Sequence, residues 1–188
     1  MSRLSPLTES DLNPEQRAVL DAIANSPRGL RGLVGPFGVY ARVPGVGNAA
    51  QALGAAVRFG TTLEENVKEV AICTVGAFHH SKFEFAAHAR LAARAGVAED
   101  IVEALREGRT PSFTDARERV AHQVARELLT AHGIADATYA EAVSLLGETR
   151  LIELVVTVGY YGLVSLTLNA FRVPLGEGMA DPFPDHPV

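Results

Sequence analysis

Only one cysteine, Cys73, occurs in the chain, and there is no tryptophan. A lone cysteine excludes an intrachain disulfide and any C-x-x-C redox pair. Flanked by Ile72 and Val75, it reads as a small buried hydrophobe. Basic clusters are also missing: Lys and Arg number 17 against 22 Asp and Glu, for a net charge of -5. Scattered on an acidic chain, they leave no electrostatic footprint for nucleic acid. The opening residues, MSRLSPLTESDLNPEQ, lack the apolar core of a signal peptide. The longest apolar stretch, 151–170, is interrupted by Glu153, Gly159, Gly162, Ser165, Thr167 and Asn169, too polar for a confident bilayer span. The expectation is a soluble, cytoplasmic protein with no membrane partner. No run sustains strand alternation.

What is present is helix. The 188 residues, 47% of them hydrophobic, suit a single domain over 1–188 with a substantial core, needing no metal or disulfide to fold. Asn13 before Pro14 marks an N-cap with proline at the first helical position. The Gly- and Pro-rich stretch from Arg28 to Val46 predicts a loop, whose Leu33, Phe37 and Tyr40 suit a cover packed over a site. Helices are predicted at about 47–59, 64–80, 82–95 (closed by Gly96), 100–107 (ended by Gly108), 114–131, 136–146 and 149–170, with an irregular tail after Pro174. Glu69 to Gly76 and Glu153 to Gly159 resemble each other, which suggests two apolar helices packed at the centre, partly covered by other subunits. Glu153 reads as structural, paired with an arginine.

The chemistry concentrates between Glu69 and Gly96, where two carboxylates and three histidines interrupt an alanine-rich apolar run. Ionisable groups are costly to bury unless paired, so they need a structural partner or a chemical use. Offsets of four, three and four place Glu69, Cys73, Gly76 and His80 on one helical stripe, and Glu84 and His88 lie one turn apart. An imidazole oriented by a carboxylate is a general acid/base suited to neutral pH. The plainer reading of Glu84 and His88 is a helix pair contributing about 0.2–0.5 kcal/mol. His79 falls on another face, towards solvent or a neighbouring subunit. His80, Glu84 and His88 also share a four-residue step, but three ligands on one straight helix span about 12 Å of rise, too far for one ion; no metal site and no cofactor are expected.

Glu69 with its apolar run, followed by FEFAAHARLAARAGV over 83–97, resembles the carboxymuconolactone decarboxylase family, which includes alkylhydroperoxidase D-like proteins. RGLVGPF, GTTLEENVKE and GYYGLVSLTLNAF extend the likeness to roughly 28–173. The resemblance implies an all-α, alkylhydroperoxidase D-like helical bundle assembled as a homotrimer or homohexamer, with sites near subunit contacts. In the family's peroxidase branch, cysteines stand seven and four residues before the motif histidine; Ser81 and Glu84 occupy those positions, so thiol peroxidase chemistry is not expected. The decarboxylase branch implies a cofactor-free lyase or isomerase acting on a small carboxylated lactone or enone. His88 and Glu84 would move protons, Glu69 and His80 would extend the relay, and Arg42, Arg58, Tyr40 and Phe37 are candidates for holding substrate. The alternatives are a non-catalytic ligand-binding or oligomer-scaffold protein and, below that, peroxidase-type or metal-dependent activity.

Overall fold

The computed structural model describes residues 2–29 and 32–186; Leu30 and Arg31 of the Gly/Pro loop lie outside the described residues. Among them every regular element is helical. After a 3-10 turn at Glu9–Asp11, α1 spans Pro14–Ala24, opened by a reciprocal capping box in which Asn13 Oδ1 accepts from the Gln16 amide and Gln16 Oε1 from the Asn13 amide. The segment expected to be wholly loop contains a short helix, α2 (Pro36–Tyr40), and the start of α3 (Pro44–Phe59). Both begin on proline, whose fixed φ and missing N–H suit the first helical position. Then come α4 (Glu65–Phe78), α5 (Lys82–Arg94), α6 (Glu99–Arg106), α7 (Ala116–Ala131), α8 (Asp136–Leu146) and α9 (Glu148–Ala170).

The centre of the bundle is α4, every residue of which from Val67 to Gly76 is buried, packed by α5, α7 and α9. It ends two residues earlier than its apolar pattern predicted. His80 adopts a left-handed φ of 47°, the Ser81 amide donates to the Gly76 carbonyl at 2.8 Å and the His80 amide to Ala77 at 3.0 Å. This closure satisfies the last carbonyls and reverses the chain directly into α5. Glycines at positive φ perform the same task after α5 and α6, at Gly96 and Gly108, where the pattern placed them.

Helices α4 and α9 pack against each other, as their similar sequences suggested. With 23 residues and a window of mean hydropathy 1.7, α9 is long and apolar enough to cross a bilayer by length and composition, more so than its polar interruptions suggested, yet half of that window is buried within the bundle. Its inner face places Leu154, Tyr161, Val164 and Leu168 in the core, while Ile152, Val156, Leu163 and Leu166 face outward. Among the described residues Glu153 pairs with no arginine: its carboxylate accepts from the Thr62 amide at 2.9 and 3.0 Å and from the Thr62 hydroxyl at 3.1 Å, tying the α3–α4 turn to α9. The tail forms no helix but is strapped down, Phe183 buried against Phe85 and Asp181 paired with Lys82 at 2.7 Å.

Candidate active site

The tight reversal at 79–81 sets the register between α4 and α5, so that Glu69 and His88, nineteen residues apart, meet across the hairpin. His88 Nδ1 donates to Glu69 Oε2 at 2.6 Å, and His88 Nε2 lies 2.9 Å from Glu84 Oε1 one turn back on α5. The imidazole is therefore clasped between two carboxylates, all three side chains buried. Its orientation comes from Glu69 on the neighbouring helix, with Glu84 on the opposite nitrogen. At the end of α3, Arg58 places one guanidinium nitrogen 2.9 Å from Glu65 Oε2 and the other 3.0 Å from Glu69 Oε1, the latter too oblique for a hydrogen bond.

These contacts set the charge. Burial alone would push the His88 pKa down, but Glu69 and Glu84 outweigh it and raise it from 6.5 to about 9, so the ring is an imidazolium at neutral pH. Burial also opposes the Arg58 charge, and Glu69 and Glu65 more than restore it. A group whose folded pKa is raised contributes stability fully present below its unfolded value, near 6.5, and lost as pH rises through about 9. We expect chemical denaturation to show stability falling by about 3 kcal/mol across that window. A profile that stays flat there would contradict the clasped imidazolium.

Glu84 and His88 line a cavity of about 260 Å³ together with Arg58, Phe37, Arg28, Phe59, Phe83, Tyr160 and Tyr161. Tyr161 meets the His88 ring edge to face, centroids 4.9 Å apart. Burial raises the Tyr160 pKa to about 12, which keeps it a phenol and a hydrogen-bond donor. The Arg28 guanidinium stands 5.7 Å from the Phe37 ring centre and 5.8 Å from that of Phe59, and donates to the Gln51 carbonyl at 3.1 Å. Sequence reasoning passed over Arg28, Phe59, Phe83 and the two tyrosines. The Tyr160–Tyr161 pair in a helix that faces both core and solvent was the available signal; Arg28 had none, since a loop has no periodicity to predict where a side chain ends up.

Of the residues singled out from sequence, Glu69, Glu84, His88, Arg58 and Phe37 converge here. Tyr40 does not line the cavity: it is buried behind Tyr160, its hydroxyl without a well-aligned hydrogen bond. Two others lie elsewhere. Arg42 donates to the Ser5 carbonyl and lines a separate pocket beside the N-terminal segment. His80, expected on the Glu69 stripe, is turned away by the left-handed closure and stacks on His186 at 3.8 Å between ring centres. The His80–Glu84–His88 ligand set therefore does not assemble, and no trio of metal-ligating side chains forms among the described residues. Cys73 is completely buried one turn after Glu69, its thiol pushed well up by burial and by the two carboxylates. Ser81 is also fully buried, and its hydroxyl has no hydrogen-bond partner among the described residues.

Residues 44–127 match the model of the carboxymuconolactone decarboxylase family. The fold is shared with the debrominase Bmp8, at 17% identity over 94% of each chain and a TM-score of 0.71. A cysteine-to-alanine variant of that debrominase has been solved in complex with 2,3,4-tribromopyrrole. The fold is also shared with an uncharacterised peroxidase-related protein from Silicibacter sp. TM1040, at 15% identity over 95% of this chain and 93% of that one, TM-score 0.75. A third likeness is to an Agrobacterium tumefaciens protein of unknown function linked by name to AhpD, at 13% identity over 73% of this chain and 95% of that one, TM-score 0.64. None of the curated proteins matches the chain by sequence.

Proposed function

We propose, for a chain that carries the carboxymuconolactone decarboxylase family segment at residues 44–127 and an alkylhydroperoxidase D-like helical fold, that it is a cofactor-free acid–base lyase or isomerase acting on a small carboxylated lactone or enone. The observation that carries this reading is the Glu69–His88–Glu84 chain opening into a cavity walled mainly by apolar and aromatic side chains, with Arg28 and Arg58 in its lining. Such a chain holds a proton and can release it where substrate sits. The two nitrogens of Arg58 near carboxylates are committed to Glu65 and Glu69, so it balances the charge of the relay. Arg28 lines the same cavity against Phe37 and Phe59, where its guanidinium can face a substrate anion. Both arginines serve without a metal or cofactor.

In the decarboxylating case the bond between the carboxylate and the carbon conjugated to a carbonyl breaks. Its electron pair moves into the carbonyl as a dienolate, and carbon dioxide leaves. The dienolate oxygen is stabilised by Arg28 and the Tyr160 hydroxyl. The proton that then adds to carbon comes from His88 through Glu84, and solvent restores it. Incubating the protein with carboxylated lactones and β-keto acids, and measuring released carbon dioxide, tests the reading. Turnover of a lactone acid supports it; a panel without turnover, from protein that is folded, removes the lyase and leaves a ligand-binding role.

The same proposal includes assembly of identical chains through α9. Ile152, Val156, Leu163 and Leu166 repeat at helical spacing and are each about half exposed, a continuous apolar stripe on a helix whose other face is core. A second copy presenting the same stripe buries it. Leu166→Glu should convert the assembly to smaller species in sedimentation velocity; an unchanged sedimentation coefficient would place the subunit contact elsewhere.

A further inference from the structure

On another flank of α4, between α4, α6 and α7, lies a second cavity of about 270 Å³ that the proposed chemistry does not use. Its polar lining is Thr74, His80, Arg109, Thr110, His122 and Arg126, and no lining residue is acidic, although the whole chain is. Arg109 is paired at the rim with Glu107. The Arg126 guanidinium has neither ion pair nor hydrogen bond among the described residues, and its charge is felt by His122.

The His122 ring is fixed in an informative way. The Thr74 hydroxyl has one proton and gives it to the Val70 carbonyl at 2.8 Å. The 3.0 Å contact between Thr74 Oγ1 and His122 Nδ1 must therefore be donated by the imidazole. That assigns the neutral tautomer with its proton on Nδ1 and leaves Nε2 as an acceptor in a cavity also lined by Arg109 and Arg126. Burial and Arg126 lower the His122 pKa to about 4, in keeping with a neutral ring at physiological pH.

We propose that this cavity binds a compact oxyanion, a carboxylate or phosphate with an adjacent hydroxyl, its charge held by Arg126 and Arg109 and its O–H donated to His122 Nε2. The volume, just below the ~300–1,000 Å³ of drug-sized sites, selects a small molecule. Arginine forks match both anions, so geometry names the shared chemistry rather than its source. The other titratable groups facing the site are His80, itself stacked on His186, and Glu107 at the rim.

Titrating the intact protein with inorganic phosphate, and separately with glycolate, while following the His122 ring signals by NMR, tests the inference. Saturable shifts with one or both probes are expected, and the probe that binds identifies the source. Binding of glycolate should persist across neutral pH and weaken as pH falls towards 4, because protonating His122 removes the Nε2 acceptor of the ligand O–H. Arg126 is exposed, so Arg126→Gln should fold normally and weaken affinity about tenfold or more. Arg28→Gln, in the first cavity, should leave it unchanged. The inference is overturned if neither probe saturates, if Arg126→Gln binds like the parent, or if Arg28→Gln abolishes binding. None of these readouts depends on turnover at Glu84 and His88.

Discussion

Glu84→Gln should lower carbon dioxide release from an accepted lactone acid by about 10²–10⁴-fold, the range associated with losing a positioned proton-transfer group. The substitution is close to isosteric, and its amide oxygen can still accept from His88 Nε2 at the 2.9 Å position, so the fold should persist. What disappears is the ability to carry a proton from the imidazolium to substrate. The decisive comparison is kcat against melting temperature: a large fall in kcat with melting nearly unchanged assigns Glu84 to proton transfer. A variant that retains full turnover would exclude that role, and one that merely melts early would make Glu84 a structural partner of His88.

Glu69→Ala should be the most damaging single change to stability, by about 3–5 kcal/mol in denaturant unfolding. Glu69 is fully enclosed and meets two cations, His88 and Arg58. Its removal leaves both facing a void, with Glu65 alone beside Arg58 and Glu84 alone beside His88, and under-compensated buried charge is strongly unfavourable. His88 would then lose the larger of its two charge supports, and its pKa should move down from about 9. Nuclear magnetic resonance titration of the His88 ring reports this independently of stability. Glu69→Ala unfolding at the denaturant concentration of the parent protein would mean that the ion pair contributes nothing net.

Helix existence was legible because its signals are local. Asn13 with Pro14, Gly96 and Gly108 act through backbone groups within one turn of themselves, and the structure uses each where the pattern puts it. The loop around α2 was legible only in part, since a five-residue helix is too short for periodicity and rests on Pro36. His80 shows the limit most sharply. Its four-residue step from Gly76 is sound on a continuing helix, but nothing local said that α4 would close at Phe78, because left-handed closure on a histidine is uncommon without glycine.

The acidic and imidazole groups at 69, 84 and 88 were marked by sequence alone, because charge inside an apolar run violates the ordinary burial rule and so stands out without coordinates. Sequence also determined that thiol redox chemistry has no cysteine pair to work with. Only the tertiary structure decided who faces whom. Glu69 became the partner of His88 through a hairpin register, Arg28 and Tyr160 reached the cavity from segments more than one hundred residues apart, and Arg42 went to the N-terminal segment instead. Spacing along a chain specifies neighbours on one helix; contact between helices depends on where each helix stops, which is settled by packing and backbone closure.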